Sequence, residues 1–469
     1  MLRGLAILFA IATLAAALAV AATDDSAPQD AAPPSITLVP ATTKLPCSVG
    51  VGGCSASSCH GAAIESSKPW QSAFTVWSTQ DPHAQAYSVL FGPLAQQIVT
   101  NLNGPNKTEK PAYENLRCIG CHTTENPGQP TNREFLADGV GCEACHGAAE
   151  NWVAIHTRKD WQPSHGMVDT KNAAARTQRC VQCHVGDDPR KDGATRDVNH
   201  DLIAAGHPRL AFEASTYLDA LPRHWRKDPH EDPVLAWAVG QITTLNSAID
   251  LFDARTRGPF STPVETWPEF AEFDCYSCHR PMKERLDSES LLNNLGAPRS
   301  STWYTALSEV SRLALNSPKP IRIPAQIGFD SFLRGSMDLR REVQRLRKLG
   351  YSLPPDARST ASTTELAEQI CKQTDVSIWD EAAQAYAALK ALSARSTTGD
   401  KTQLDARLTD LRAALVFPLI LNPRTGESIQ NDFGRPAHFD GPRNYSPDKV
   451  RRLIEEIVQI LAPAADCSR

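Results

Sequence analysis

The sequence predicts a mainly α fold in two parts: short helices joined by irregular loops up to about residue 290, then a helical bundle over residues 300–469. Three observations predict it. No stretch shows the sustained apolar–polar alternation of a half-buried strand, whereas apolar residues recur at spacings of three and four in many places. Twelve of the thirteen histidines precede Met282, and only His438 follows it, so the composition changes near residues 283–300. Hydrophobic residues make up 41% of the chain, which is low for a region that must fill its core with side chains alone.

Residues 1–22 combine Arg3, an apolar run from Leu5 to Val20 and small residues at Ala19 and Ala21, the pattern of an export signal. Left uncleaved, the same segment would serve as an N-terminal anchor, and no later run of about 18 apolar residues follows. Residues 23–46 are rich in Ala, Pro, Asp and Thr and read as an extended leader. In the first part, Asn151–His156, Arg209–Leu218 and Pro233–Arg255 read as helices. In the second, the helical stretches are Trp303–Leu315, Ser336–Leu349, Thr364–Thr374, Ser377–Ser393, Lys401–Leu415 and Pro447–Leu461, with Pro, Gly or Ser between them. An antiparallel bundle follows from this pattern.

Four times the chain writes Cys-x-x-Cys-His: Cys118, Cys121, His122; Cys142, Cys145, His146; Cys180, Cys183, His184; and Cys275, Cys278, His279. A stretched version, Cys54, Cys59 and His60, precedes them. Chance at this composition gives roughly 0.01 such matches. The spacing is that of c-type haem attachment: two thiols add to the haem vinyl groups and the next imidazole binds iron from one face. Zinc ribbons do not require a histidine after every second cysteine. Residues 47–290 therefore read as a domain carrying five covalently attached haem c groups, whose porphyrins supply the missing apolar core. In the first motif Cys47 is the alternative to Cys54 as the second thioether. Cys371 and Cys467 are left over, either bridged to pin the tail or free. Thiol haem attachment belongs outside the cytoplasm, which agrees with the export signal and places the mature chain in the periplasm. A net charge of -5 gives no hint of nucleic-acid binding.

Each iron takes a sixth ligand or keeps an open face. His83, His156, His200, His207 and His224 are the candidates, with His165 competing with His224 for the last place. His200 and His207 lie seven apart, but Gly206 and Pro208 argue against one unbroken helix. Met167, Met282 and Met337 are the only methionines after the first, so mostly bis-histidine iron follows. The second and third motifs begin 24 residues apart, which predicts that their sites are neighbours.

The phrases at 54–61, 139–147, 199–210 and 221–225 resemble the multihaem cytochrome c superfamily that contains cytochrome c-554 and hydroxylamine oxidoreductase. The resemblance spans roughly residues 47–282. It implies close-packed haem pairs and electron transfer between periplasmic or membrane-bound redox proteins, with His83, His156, His200, His207 and His224 at expected distal positions. Pentahaem nitrite reductases are similar in haem number, but their motif ending in lysine has no counterpart here. The tyrosine cross-link of hydroxylamine oxidoreductase has no signal here either.

Two functions are compatible with these residues. The first is an electron carrier, with the C-terminal helical domain available for docking to a partner or larger complex. The second is an oxidoreductase acting on a small nitrogen or sulfur compound at one open-face haem, where Arg209, Arg223 or Arg226 would orient an anion or neutralise propionates. No catalytic residue is assigned.

Overall fold

The computed structural model describes residues 46–64, 68–103, 110–124, 133–158, 165–187, 196–257, 269–272, 303–304, 306–315, 361–397, 400–415, 420–421, 428–429 and 445–468. The expected signal and the leader up to residue 45 lie outside them. So do the fifth motif (Cys275, Cys278, His279), the compositional boundary at 283–300, the helix expected over Ser336–Leu349, and His438.

Short elements dominate the first part: α1 (Ala73–Gln80), α2 (Pro93–Asn103), α3 (Leu116–His122), α4 (Arg133–Leu136), α5 (Cys142–His146), α6 (Ala173–His184), α7 (His200–Ala205) and α8 (Ala214–Ala220), with 3-10 turns between them. Four of the eight begin at a side-chain cap. Asn115, Asn172, Asn199 and Glu213 accept hydrogen bonds from the first main-chain N–H groups of α3, α6, α7 and α8. The Glu213 cap explains why the helix expected over Arg209–Leu218 starts only at Ala214. Gly206, at φ 122°, ends α7 before His207, so the two histidines do not share one helix. The stretch Asn151–His156 forms consecutive turns rather than the expected helix. There the Val153 carbonyl, which a helix would offer to a main-chain N–H, accepts from His156 Nδ1 at 2.6 Å.

The first part ends in the long helix α9 (Pro233–Arg257), and the second part is built on α10 (Ser308–Ala314), α11 (Thr363–Gln373), α12 (Trp379–Arg395), α13 (Lys401–Leu415) and α14 (Pro447–Leu461). The structure is thus mainly α, as the periodicity predicts. The pair β1 (Ile420–Leu421) and β2 (Ser428–Ile429) is antiparallel and too short to leave a periodic trace in the sequence. Ser362 caps α11 by accepting from the Glu365 N–H at 3.0 Å. α14 buries Val450, Leu453, Ile454, Ile457, Val458 and Leu461, one stripe of a 3.6-residue period. α12 is buried on nearly every face, which makes it the central helix of this layer. The Cys371–Cys467 disulfide ties α11 to the tail, the bridged alternative of the two.

From Pro46 onward the chain forms one compact unit. α9 carries the connection: it packs on α6, which holds the fourth motif, and also on α10 and α12. Trp237, Ala238, Ile242 and Leu245 of α9 share one core with Trp303, Leu307, Ile370, Leu389 and Leu392. Several buried polar groups around it are paired, although Trp237 Nε1 is not. Gln241 Nε2 donates to Gln384 Oε1 at 3.0 Å, Gln384 Nε2 to the Trp303 carbonyl at 2.9 Å, and Trp303 Nε1 to the Phe212 carbonyl at 2.9 Å. Arg209 meets Asp380 of α12 through both guanidinium nitrogens, at 3.3 and 3.1 Å, with side-chain exposures of only 10% and 1%. Arg209 is thus engaged by a carboxylate of the helical layer, and Arg223 by Asp219.

Replacing Asp380 with alanine strands the Arg209 cation in a dry contact. We expect about 3–5 kcal/mol of lost stability in denaturant unfolding of the haem-loaded protein. A loss below about 1 kcal/mol would mean that the pair does not brace the two parts.

Candidate haem centres

In the second, third and fourth motifs the residues Cys-x-x-Cys-His end a helix: α3 at His122, α5 at His146 and α6 at His184. One helical turn brings positions i, i+3 and i+4 to one side, so both thiols and the imidazole approach the same face. The first motif has two extra residues and is built differently. A 3-10 turn over Val51–Cys54 is followed by a tight turn, in which a Cβ on Gly61 would lie 2.0 Å from the Ser55 carbonyl oxygen. Only glycine closes that loop.

The imidazoles meet in pairs. His60 faces His156 with ring centres 6.2 Å apart, His83 faces His184 at 6.0 Å, and His146 faces His224 at 6.5 Å. Two imidazoles bound to one metal through nitrogen bonds of roughly 2 Å place their ring centres roughly 6 Å apart. Ring orientation is fixed from behind. Nδ1 of His60, His122, His156 and His207 donates to the carbonyls of Trp70, Ala86, Val153 and Pro208 at 2.7, 2.6, 2.6 and 2.8 Å. A carbonyl can only accept, so Nδ1 carries the proton and Nε2 keeps the lone pair that binds iron. His83 differs: its Nδ1 lies 2.9 Å from Oδ1 of Asp81. His122, His200 and His207 are not among the three pairs, and the ring of His200 lies edge-on to Phe270 at 5.5 Å.

Burial sets the charge states. It pushes His146 down to about 4, assisted by the nearby His224, His60 and Arg179, and it lowers His122 and His224. These rings are therefore neutral near pH 7, as ligation requires. The hydrogen bond that His83 donates to the Asp81 carboxylate raises His83 instead. Burial alone would raise the Asp81 carboxyl, but the hydrogen bonds from the His83 ring and N–H, with the positive charge nearby, bring it below its ordinary value. Burial pushes the Cys145 thiol up to about 11 and the Cys180 thiol up to about 12.

Thiols of different motifs touch. Cys54 is hydrogen-bonded to Cys142, and Cys121 to Cys183, which puts the first motif beside the third and the second beside the fourth. Arg179 Nε donates to the Ala144 carbonyl at 2.9 Å and so joins the third motif to the fourth. The 24-residue spacing also predicted the second motif beside the third, and they are joined: the Thr124 N–H donates to the Gly139 carbonyl at 2.9 Å and the Gly141 N–H to Thr124 Oγ1 at 2.6 Å, so the third motif adjoins the first, the second and the fourth. Three polar residues position the motifs and escaped the sequence reading. Buried Glu143, inside the third motif, accepts N–H bonds from Val49, Gly50 and Ala149 at 3.0, 2.9 and 2.7 Å and so clamps the entry to the first motif. Buried Arg196 donates to the Gly120 carbonyl of the second motif at 2.8 Å. Asp81 accepts from the His83 N–H and so caps the turn Pro82–Gln85.

Among the described residues, the large apolar side chains left exposed are Ile64, Trp70, Val89, Phe91, Leu94, Leu116 and Phe270. All lie in the motif-bearing part and none in the C-terminal helices, which is the surface an apolar macrocycle would cover. The paired imidazoles, adjacent thiols and uncovered apolar side chains fit haem c.

Motifs of this kind on a scaffold of short helices define a c-type cytochrome, with covalently bound haem c and a role in electron transfer or redox chemistry. Residues 54–147, which hold the first three motifs, match the family model described as cytochrome c554 and c-prime. Searches of curated proteins and of solved structures find no match. Among the described residues, no helix is long and apolar enough to cross a membrane.

Replacing Glu143 with alanine leaves the N–H groups of Val49, Gly50 and Ala149 without their acceptor, at a cost of about 1–3 kcal/mol for each one that stays buried. We expect lower stability and under-filling of the first site, read as one haem fewer by intact mass. Full loading with unchanged stability would show that the clamp is dispensable.

Proposed function

We propose that the protein is a periplasmic pentahaem cytochrome that carries electrons between redox partners. The observation that carries this reading is the pairing of three motif histidines with a second imidazole at 6.0–6.5 Å. An iron with imidazole on both faces has no position for a substrate, so such a site accepts and releases electrons without binding anything else. Haem, when bound, supplies a one-electron Fe(III)/Fe(II) couple at each site. The chain's contribution is order and fixity: His60 with His156, His146 with His224 and His184 with His83 hold three consecutive sites, and Nδ1 hydrogen bonds prevent several of these rings from turning.

His200 and His207 are the proposed sixth ligands for the remaining two sites, those of His122 and His279. The N-terminal segment supports export. The proposed partners are periplasmic or membrane-bound redox proteins, with the charged outer face of the C-terminal helices, including Lys401, Asp405 and Arg412, as a docking side. One observation favours a second reading, an oxidoreductase acting on a small nitrogen or sulfur compound: His122 is outside the imidazole pairs and lies on the element that carries exposed Leu116, so the second site is where an open iron face would be found.

Single substitution of His83, His156 or His224 by alanine should each convert one haem from low-spin to high-spin in the EPR spectrum of the oxidised protein. Unchanged spectra would remove these residues as ligands. Intact mass should show five haems per chain, and four would remove the fifth motif as an attachment site.

A further inference from the structure

We infer that Asp81 tunes the redox potentials of two sites, lowering that of the His83–His184 site most and that of the His146–His224 site less. The inference rests on the reading that His83 and His184 share an iron.

Asp81 is 7% exposed. Its Oδ1 lies 2.9 Å from Nδ1 of His83 and 3.0 Å from the His83 main-chain N–H, so one oxygen both caps the turn Pro82–Gln85 and holds the ring. The other motif and distal histidines with a defined Nδ1 contact, namely His60, His122, His156 and His207, donate to uncharged carbonyls. A carboxylate drawing on the Nδ1 proton gives the ring imidazolate character and raises its basicity toward the metal. That stabilises the ferric state over the ferrous one and lowers the potential. The same negative charge also acts on His224 and on Cys145 of the third motif. Asp81 therefore acts on the fourth site through its contact with His83 and on the third through its charge. Its effect is to make these two sites harder to reduce than they would otherwise be. Electrons entering a partly reduced molecule then collect at the other sites.

The experiment is a potentiometric titration of the haem-loaded full chain, followed by optical absorption and EPR, comparing the parent with Asp81→Asn. Asparagine keeps an acceptor oxygen for the cap and for the ring but removes the charge. The expected result is that one haem becomes about tenfold easier to reduce, or about 59 mV for one electron. A second haem should shift in the same direction by less, the others should stay in place, and one low-spin signal should widen its g-spread as imidazolate character is lost. Unchanged potentials, or an equal shift of every haem, would overturn the inference. Should Asp81→Asn load poorly, the parent's own spectrum decides: one low-spin haem must show the narrow g-spread of a strongly basic ligand and titrate below its neighbours, and its absence would overturn the inference as well. His83→Ala separates this failure from that of the underlying reading, because a low-spin count that does not fall would show that His83 is not a ligand at all.

Discussion

Hydrogen bonds from histidine Nδ1 to fixed acceptors are the interaction on which the rest of the motif region depends. A free imidazole turns about its side-chain torsions and offers either nitrogen. Tied at Nδ1 to the carbonyls of Trp70, Ala86 or Val153, it can present only Nε2, in one direction. Because the acceptors belong to the main chain of neighbouring turns, the irregular backbone of this region becomes a ligand-orienting device. The turns at 149–157 illustrate the exchange: a carbonyl that a regular helix would use for itself is given to His156. The short helices that carry the motifs need do little more than place two thiols and a ring on one side.

The C-terminal helices supply what such a region lacks, a core made of side chains. α9 is the hinge of this division of labour, because one side faces the fourth motif helix and the others meet α10 and α12. The Arg209–Asp380 pair and the Gln241–Gln384 contact are buried and fully engaged, so they fix how the two layers meet. Burying an ion pair costs desolvation energy that packing apolar groups would not. Here the return is a defined orientation of the segment that ends in His207.

Much of this was legible from the residues. Cys-x-x-Cys-His repeats announce thioether attachment, and the apolar stripes of α11, α13 and α14 fall where periodicity puts them. Gly206 and Pro208 correctly argued against one helix through His200 and His207. The 24-residue spacing put the second motif beside the third, but the contacts of Cys54 with Cys142 and of Cys121 with Cys183 were not legible, because they are made by tertiary packing that sequence separation does not encode. Glu143 was hidden for a related reason: inside a motif it looks like a solvent-facing spacer, and only the folded loop brings three N–H groups to it. The helix expected from Arg209 failed locally, since the Glu213 side chain caps the chain four residues later. Pairing of distal histidines likewise depends on distance in space, which the spacing of His165 and His224 along the chain does not encode; the ring of His224 lies 6.5 Å from that of His146.

The central claim is that His60 and His156, His146 and His224, and His184 and His83 each hold one iron between them. A crystal structure of the haem-loaded protein, with irons located by anomalous scattering, tests it most directly. The account requires an iron midway between the rings of each pair, bonded to Nε2 on both sides. Irons bonded to a single motif histidine, with His83, His156 or His224 turned away or another residue in the sixth position, would contradict it.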